Sequence, residues 1–194
     1  KFGSTHSEVD KFFKSGVLKF RNQSSSDKME KILNKTIEKF SIIVKKIKPD
    51  LIVIHGDRIE PLGCALVGAL NHILTAHIEG GEISGTIDDT LRHAITKLCH
   101  IHFVGNNFAK KRVLNMGEKK ESVFKIGSPD IDALLSKNLP SIDKVKKRYG
   151  IKFDKYAIVL WHPVTSEIKN LRKQTLKLIN FINNYQLNFL VIYS

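Results

Sequence analysis

A chain of 194 residues, with 42% apolar and 26% charged side chains, holds one generous domain or one domain and part of another. Collagen-like, mucin-like and wholly disordered chains are excluded. Lysine and arginine outnumber aspartate and glutamate 32 to 19, for a formal net charge of +13; the lysines are dispersed and carry no interleaved aromatics, so the charge reads as a solvated surface and not as a nucleic-acid interface.

The elements follow in a regular order. After an opening stretch with little pattern, Asp27 is expected to start a long helix whose apolar stripe is Leu33, Ile37, Phe40, Val44 and Ile47, ending at Pro49. Short apolar runs then alternate with helical patterns. The runs lie at 51–54, 75–78, 101–104, 123–126, 157–160 and 189–192. Helices are expected around 60–72, 89–100, 106–116, 129–149 and 168–185. Continuous apolar runs mark strands covered on both faces, and the chain between successive runs suffices for one crossover helix. The expected class is α/β, with a Rossmann-like open parallel sheet.

Cys64 and Cys99 are too few for a disulfide framework and suggest reduced thiols in a cytoplasmic setting. No apolar run approaches the ~18 residues of a membrane helix, so no membrane partner is expected. The chain opens at Lys1 without a methionine and closes at Ser194 on an apolar run, as a fragment of a longer protein would. The lysine-rich stretch at 141–154 delays the next strand. It is the expected boundary between a first domain, 1–154, and the beginning of a second, 155–194.

Ligands of open α/β sheets bind outside the carboxyl ends of the strands, and this sequence gathers its polar residues there. His55-Gly-Asp57-Arg58 follows one run; Glu79-Gly-Gly-Glu82 and then Asp88-Asp89 follow the next, ahead of Arg92 and His93. Gly127-Ser-Pro-Asp130 and Trp161-His162 follow two others. A carboxylate directly behind an apolar strand, as Glu79 is, suits general acid–base chemistry. Thr86-Ile-Asp88-Asp89 fits a capping box that uses one of its aspartates and leaves the other to the rim. His55 and His77 are expected to pack or to orient neighbours. His77-Ile-Glu79 has the spacing of a zinc deaminase without the Pro-Cys-x-x-Cys that would complete it, and no nucleotide-binding glycine fingerprint is present. Neither metal nor cofactor is expected.

The strings His55-Gly-Asp-Arg58, His77-Ile-Glu-Gly-Gly-Glu-Ile-Ser-Gly-Thr-Ile-Asp-Asp89 and Arg92-His-Ala-Ile-Thr-Lys97 resemble the hydrolysing UDP-N-acetylglucosamine 2-epimerases of sialic and legionaminic acid synthesis. The likeness continues through Gly127-Ser-Pro-Asp130 and His162-Pro-Val-Thr-Ser-Glu-Ile-Lys169. It implies two Rossmann-like domains of the glycosyltransferase B type, of which this chain is the first, lacking its opening strand, with the start of the second. It also implies a homo-oligomer, and a fragment inactive alone. The reaction implied is anti elimination of UDP to 2-acetamidoglucal, then hydration to N-acetylmannosamine. By matching positions, Asp57, Glu79 and Asp88 would be the catalytic carboxylates, joined by Asp89 and by His162 assisting the leaving group. Arg58, Arg92 and Ser128 would contact substrate, with Arg92 holding Asp88 or Glu79 in its charged form. The alternatives are a UDP- or GDP-linked N,N'-diacetylbacillosamine 2-epimerase and, further off, a glycosyltransferase of the same fold.

Overall fold

The computed structural model describes residues 6–13, 15–24, 26–136, 138–162 and 168–192. The chain divides into two compact units, one of residues 18–137 and one of residues 1–17 with 138–194.

In the unit of residues 18–137, helix α2 (Met29–Ile47) follows the short α1 (His6–Phe12) of the other unit. α2 starts two residues later than expected. Asp27 stands ahead of it, accepting from the Ser24 N–H at 2.8 Å and pairing with Lys31 and Lys35. The helix closes as the proline requires, with Lys48 in the left-handed region and its N–H on the Val44 carbonyl. Then come β1 (Leu51–His55), α3 (Ile59–Leu70), β2 (Leu74–Ile78), α4 (Ile87–Leu98), β3 (Ile101–Val104), α5 (Asn107–Asn115), β4 (Val123–Lys125) and α6 (Pro129–Leu134). The four strands pair in parallel in the order β1-β2-β3-β4. The other unit holds α7 (Ile142–Tyr149), β5 (Tyr156–Leu160), α8 (Ile168–Asn184) and β6 (Asn188–Ile192), with β5 and β6 parallel neighbours. The α/β class and parallel pairing are those expected.

Coverage of the first sheet is unequal between its faces, which corrects the expectation of strands buried on both. Strand order follows chain order, so right-handed crossovers bring the intervening helices to a single face. Ile52, Ile54, Thr75, His77, His102, Val104 and Val123 share that face by register and are buried. On the opposite face Leu51, Val53, Leu74 and Phe124 are exposed, Ile78, Ile101 and Phe103 are half-buried and Ala76 is buried. The covered face carries two apolar clusters. One joins Val44 of α2 with Ile52, Ile54, Ala65, Val67 and Ile95; the other joins Val104, Ala109, Val113 and Val123. Both cysteines are free, and burial pushes Cys64 up to about 11 and Cys99 up to about 12, so both are unreactive thiols at neutral pH.

Candidate active site

The site is built where β1 and β2 end side by side. His55 pairs with Ile78 in register, so the next residues on each strand, Gly56 and Glu79, leave the sheet together. Gly56 turns the chain at φ 88°, and Asp57 follows. Glu79 is held at φ 67° while its N–H stays on the Phe103 carbonyl at 2.8 Å. A side-chain-bearing residue in the left-handed region costs about 1–2 kcal/mol. Such strain collects at functional positions, where the surroundings hold it in place.

One arginine joins the two strand ends. Arg92, in the second turn of α4 and 8% exposed, makes an ion pair through Nη2 with Asp57 Oδ2, and its Nη1 donates to the Glu79 carbonyl at 3.0 Å. Arg92 thus grips Asp57 and the backbone of Glu79. The expected partners, Asp88 and the Glu79 carboxylate, are not the ones it holds. Its terminal nitrogens face protein groups, which also argues against Arg92 as a nucleotide contact. The Glu79 carboxylate instead meets His55, with Nε2 3.0 Å from Oε2.

A buried histidine holds the Asp57 turn from behind. His77 has no exposed surface; its Nε2 lies 2.9 Å from the Gly56 carbonyl and its Nδ1 3.1 Å from Thr96 Oγ1. Burial pushes His77 down to about 4, although the bond to Gly56 works against the shift. The ring is therefore neutral at pH 7. A carbonyl can only accept, so the proton sits on Nε2; Nδ1 faces the Thr96 hydroxyl, which also donates to the Arg92 carbonyl at 3.0 Å. Thr96 lies one turn beyond Arg92, so a single face of α4 fixes both the carboxylate and the main chain of the Asp57 turn.

The remaining expected residues are placed as follows. Thr86 caps α4, accepting from the Asp88 N–H at 3.3 Å and donating to Asp88 Oδ2 at 2.8 Å. Asp89 accepts from Ser84 N–H at 2.5 Å, Gly85 N–H at 2.8 Å and Ser84 Oγ at 2.9 Å, and these bonds hold its carboxyl below the usual range. Asp89 is thus tied into the loop before α4. Arg58 is the exposed residue ahead of α3, and Ser128 occupies the same position before α6, half-buried. His162 is exposed past the end of β5, in the other unit. Residues 163–167, part of the motif after β5, lie outside the described residues.

Sequence reasoning left Glu82, Asn106 and Arg112 without roles. Glu82 Oε1 accepts from Asn106 Nδ2 at 2.8 Å, while Asn106 Oδ1 caps α5 through the Ala109 N–H at 2.9 Å. Arg112 of α5 donates to the Gly81 carbonyl. The loop after Glu79 is thereby clamped to α5. The available signal was Asn106 as a helix cap; its second partner, 24 residues upstream, carries no local signature.

Comparison with known proteins adds a second line of support. The family profile described as UDP-N-acetylglucosamine 2-epimerase matches residues 6–194.

The chain belongs to that family.

A UDP-N-acetylglucosamine 2-epimerase of Neisseria meningitidis serogroup B is 46% identical over 166 residues, covering 86% of this chain and 44% of that protein. The GDP/UDP-N,N'-diacetylbacillosamine 2-epimerase (hydrolyzing) of Campylobacter jejuni is 36% identical over 198 residues, covering 97% and 51%. The chain spans about half the length of the curated relatives it matches. Among solved structures, the Neisseria meningitidis UDP-GlcNAc 2-epimerase bound to UDP-GlcNAc matches with a TM-score of 0.76 at 18% identity, over 87% of this chain and 49% of that one. The Rickettsia bellii UDP-N-acetylglucosamine 2-epimerase matches with a TM-score of 0.69 at 21% identity, over 98% and 53%. At such identities these two matches establish the fold. Family members act on nucleotide sugars. No helix among the described residues is long and apolar enough to cross a membrane.

Proposed function

We propose that the complete protein is a hydrolysing 2-epimerase that converts UDP-N-acetylglucosamine and water to N-acetylmannosamine and UDP. The observation that carries the reading is the Arg92 bridge between Asp57 and Glu79 at adjacent strand ends, in a chain of this family. The chemistry asks for such a cluster. The C2 hydrogen is a poor acid, and its removal needs a positioned carboxylate. Cleaving C1–O builds positive charge at C1, which fixed carboxylates stabilise. Asp57, Glu79 and Asp88 supply those carboxylates in this reading. Arg58 and His162 take the diphosphate, Ser128 contacts the sugar nucleotide, and Asp89 braces the loop.

A second reading, a nucleotide-linked diacetamido sugar as substrate, is supported by the Legionella pneumophila and Campylobacter jejuni relatives at 34% and 36% identity. The 46% identity to the Neisseria protein favours the first.

Incubating the full-length protein with UDP-N-acetylglucosamine in deuterated water should yield UDP and free N-acetylmannosamine carrying one deuterium at C2. Unlabelled product would remove the elimination mechanism, and turnover of the diacetamido substrate alone would move the specificity to the second reading. Glu79→Gln should lower kcat by about 100-fold or more, the typical contribution of an acid–base group, while UDP binding measured by calorimetry persists.

A further inference from the structure

Asp57 and Glu79 sit at one rim, but they meet different cations. Asp57 faces a guanidinium, which stays protonated at every pH at which proteins function. Glu79 faces the imidazole of His55 at 3.0 Å, a ring whose two nitrogens let it take a proton at one and give one up at the other. More than half of the His55 side-chain surface is open to solvent, at 53%, against 26% for Glu79. The half-buried carboxylate thus has a proton path through an exposed ring, and Asp57 has an arginine that cannot serve as one.

We propose a division of labour, resting on the reading above, in which Glu79 exchanges the proton at C2, His55 relays it to and from water, and Asp57 is the fixed anion that balances charge at C1. In the first half-reaction the C2–H bonding pair becomes the C1=C2 double bond. The C1–O bond breaks, and its electron pair leaves on the diphosphate. The proton passes to Glu79 and then to His55 Nε2, and the imidazolium releases its Nδ1 proton to water. In the second half-reaction the oxygen of a water molecule bonds to C1 and loses one proton to solvent, while C2 receives a proton from Glu79, recharged through His55. One water is consumed and no oxidant or reductant is needed.

The charged and titratable groups around the ring fit this role. Glu79, directly after β2, meets the ring, and Arg92, paired with Asp57, holds the Glu79 main chain, while His77 lies on the opposite face of the sheet by register. His77 is neutral and occupied by Gly56 and Thr96. Glu79 is therefore the anion in contact with His55 among the described residues.

The test uses the full-length protein and the variants His55→Gln and His55→Ala, with UDP release and free sugar as readouts. His55→Gln should lower kcat by about 100-fold, the low end of acid–base contributions, with KM within about twofold of the parent. In His55→Ala, added imidazole should restore turnover in proportion to its concentration while leaving the parent protein unchanged; a merely structural histidine gives no such response. A His55→Gln kcat within about threefold of the parent, or a His55→Ala protein of unaltered melting temperature that ignores imidazole, would overturn the relay. Should His55→Ala not fold, the kcat of His55→Gln decides alone. If the parent protein itself releases no free N-acetylated sugar from UDP- or GDP-linked substrates, the functional reading falls and the relay with it. Parent turnover with unaffected variants removes the relay alone.

Discussion

Arg92 does two jobs that no single-point cation could do. Its Nη2 neutralises Asp57 and its Nη1 fixes the Glu79 carbonyl, and a planar fork holds both at set angles. A lysine has the charge without the fork, so Arg92→Lys keeps a cation near Asp57 and frees the Glu79 main chain. Glu79 already sits in the left-handed region and would relax once that bond is lost. Displacing a reacting group by an ångström costs about 100-fold in rate. On the proposed reading, Arg92→Lys in the full-length protein should therefore lose about that factor in kcat while keeping nucleotide affinity within a few-fold. Steady-state kinetics beside UDP titration separates the two, and a loss in affinity alone would show that Arg92 serves the nucleotide instead. Of this arrangement the sequence disclosed the residue types but not the pairing. Asp88 lies four residues before Arg92, the helical spacing that favours an ion pair, whereas the partner taken is 35 residues upstream. A local rule cannot rank a contact that the sheet register creates.

The loop between β2 and α4 is shaped by contacts of unequal tightness, and two of its glycines separate them. Gly81 and Gly85 share φ 78°. A methyl at Gly81 would lie 2.5 Å from the Ala109 carbonyl oxygen and 2.8 Å from Val113 Cγ2, whereas one at Gly85 meets nothing within 4 Å. Gly85→Ala should therefore cost only the left-handed penalty, about 1–2 kcal/mol. Gly81→Ala should add about 1–3 kcal/mol of overpacking, because backbone and a buried valine cannot step aside. Urea midpoints of both variants check this; equal costs would mean that the loop does not press on α5. The cap at Thr86 was legible because it is local, but the expectation of one aspartate left to the rim was not met: Ser84 and Gly85 hold Asp89, and the Thr86 hydroxyl donates to Asp88 Oδ2. The clamp from Glu82 and Gly81 to α5 was not, since Glu82 reads as one more acid at the strand end and its partner Asn106 and the Arg112 that holds Gly81 lie 24 and 31 residues further on.

Across the whole molecule, the alternation of apolar runs and helices was legible because each run is short, apolar and followed by a polar stop. Its coverage was not, because Leu51 and Val53 have the same character as Ile52 and Ile54 while only the latter pair is buried in the core. The covered face also holds two histidines, and these make stability depend on pH. Burial holds His77 at about 4 against its ordinary 6.5, and pushes His102 in the same direction even though Glu118 lies 3.1 Å from its Nε2. Unfolding returns both rings to water and to the ordinary value. Between about pH 6.5 and 4 the unfolded chain therefore binds protons that the native state refuses, and stability falls as pH falls through that window. For His77 alone the full loss is on the order of 3 kcal/mol. The carboxyl of Asp89, lowered by its loop bonds, acts in the same direction at more acid pH. Its contribution is intact above the ordinary aspartate value and disappears below it, so the histidine loss comes first on acidification. Urea unfolding of the parent at pH 7 and pH 5 should show a clear loss of stability. His77→Gln, whose amide can still donate to the Gly56 carbonyl but cannot become a cation, should start lower at pH 7 and lose less between the two. A parent protein equally stable at both values would mean that His77 is reached by water, and that the backing it gives the Asp57 turn is not the dry hydrogen-bonded contact described above.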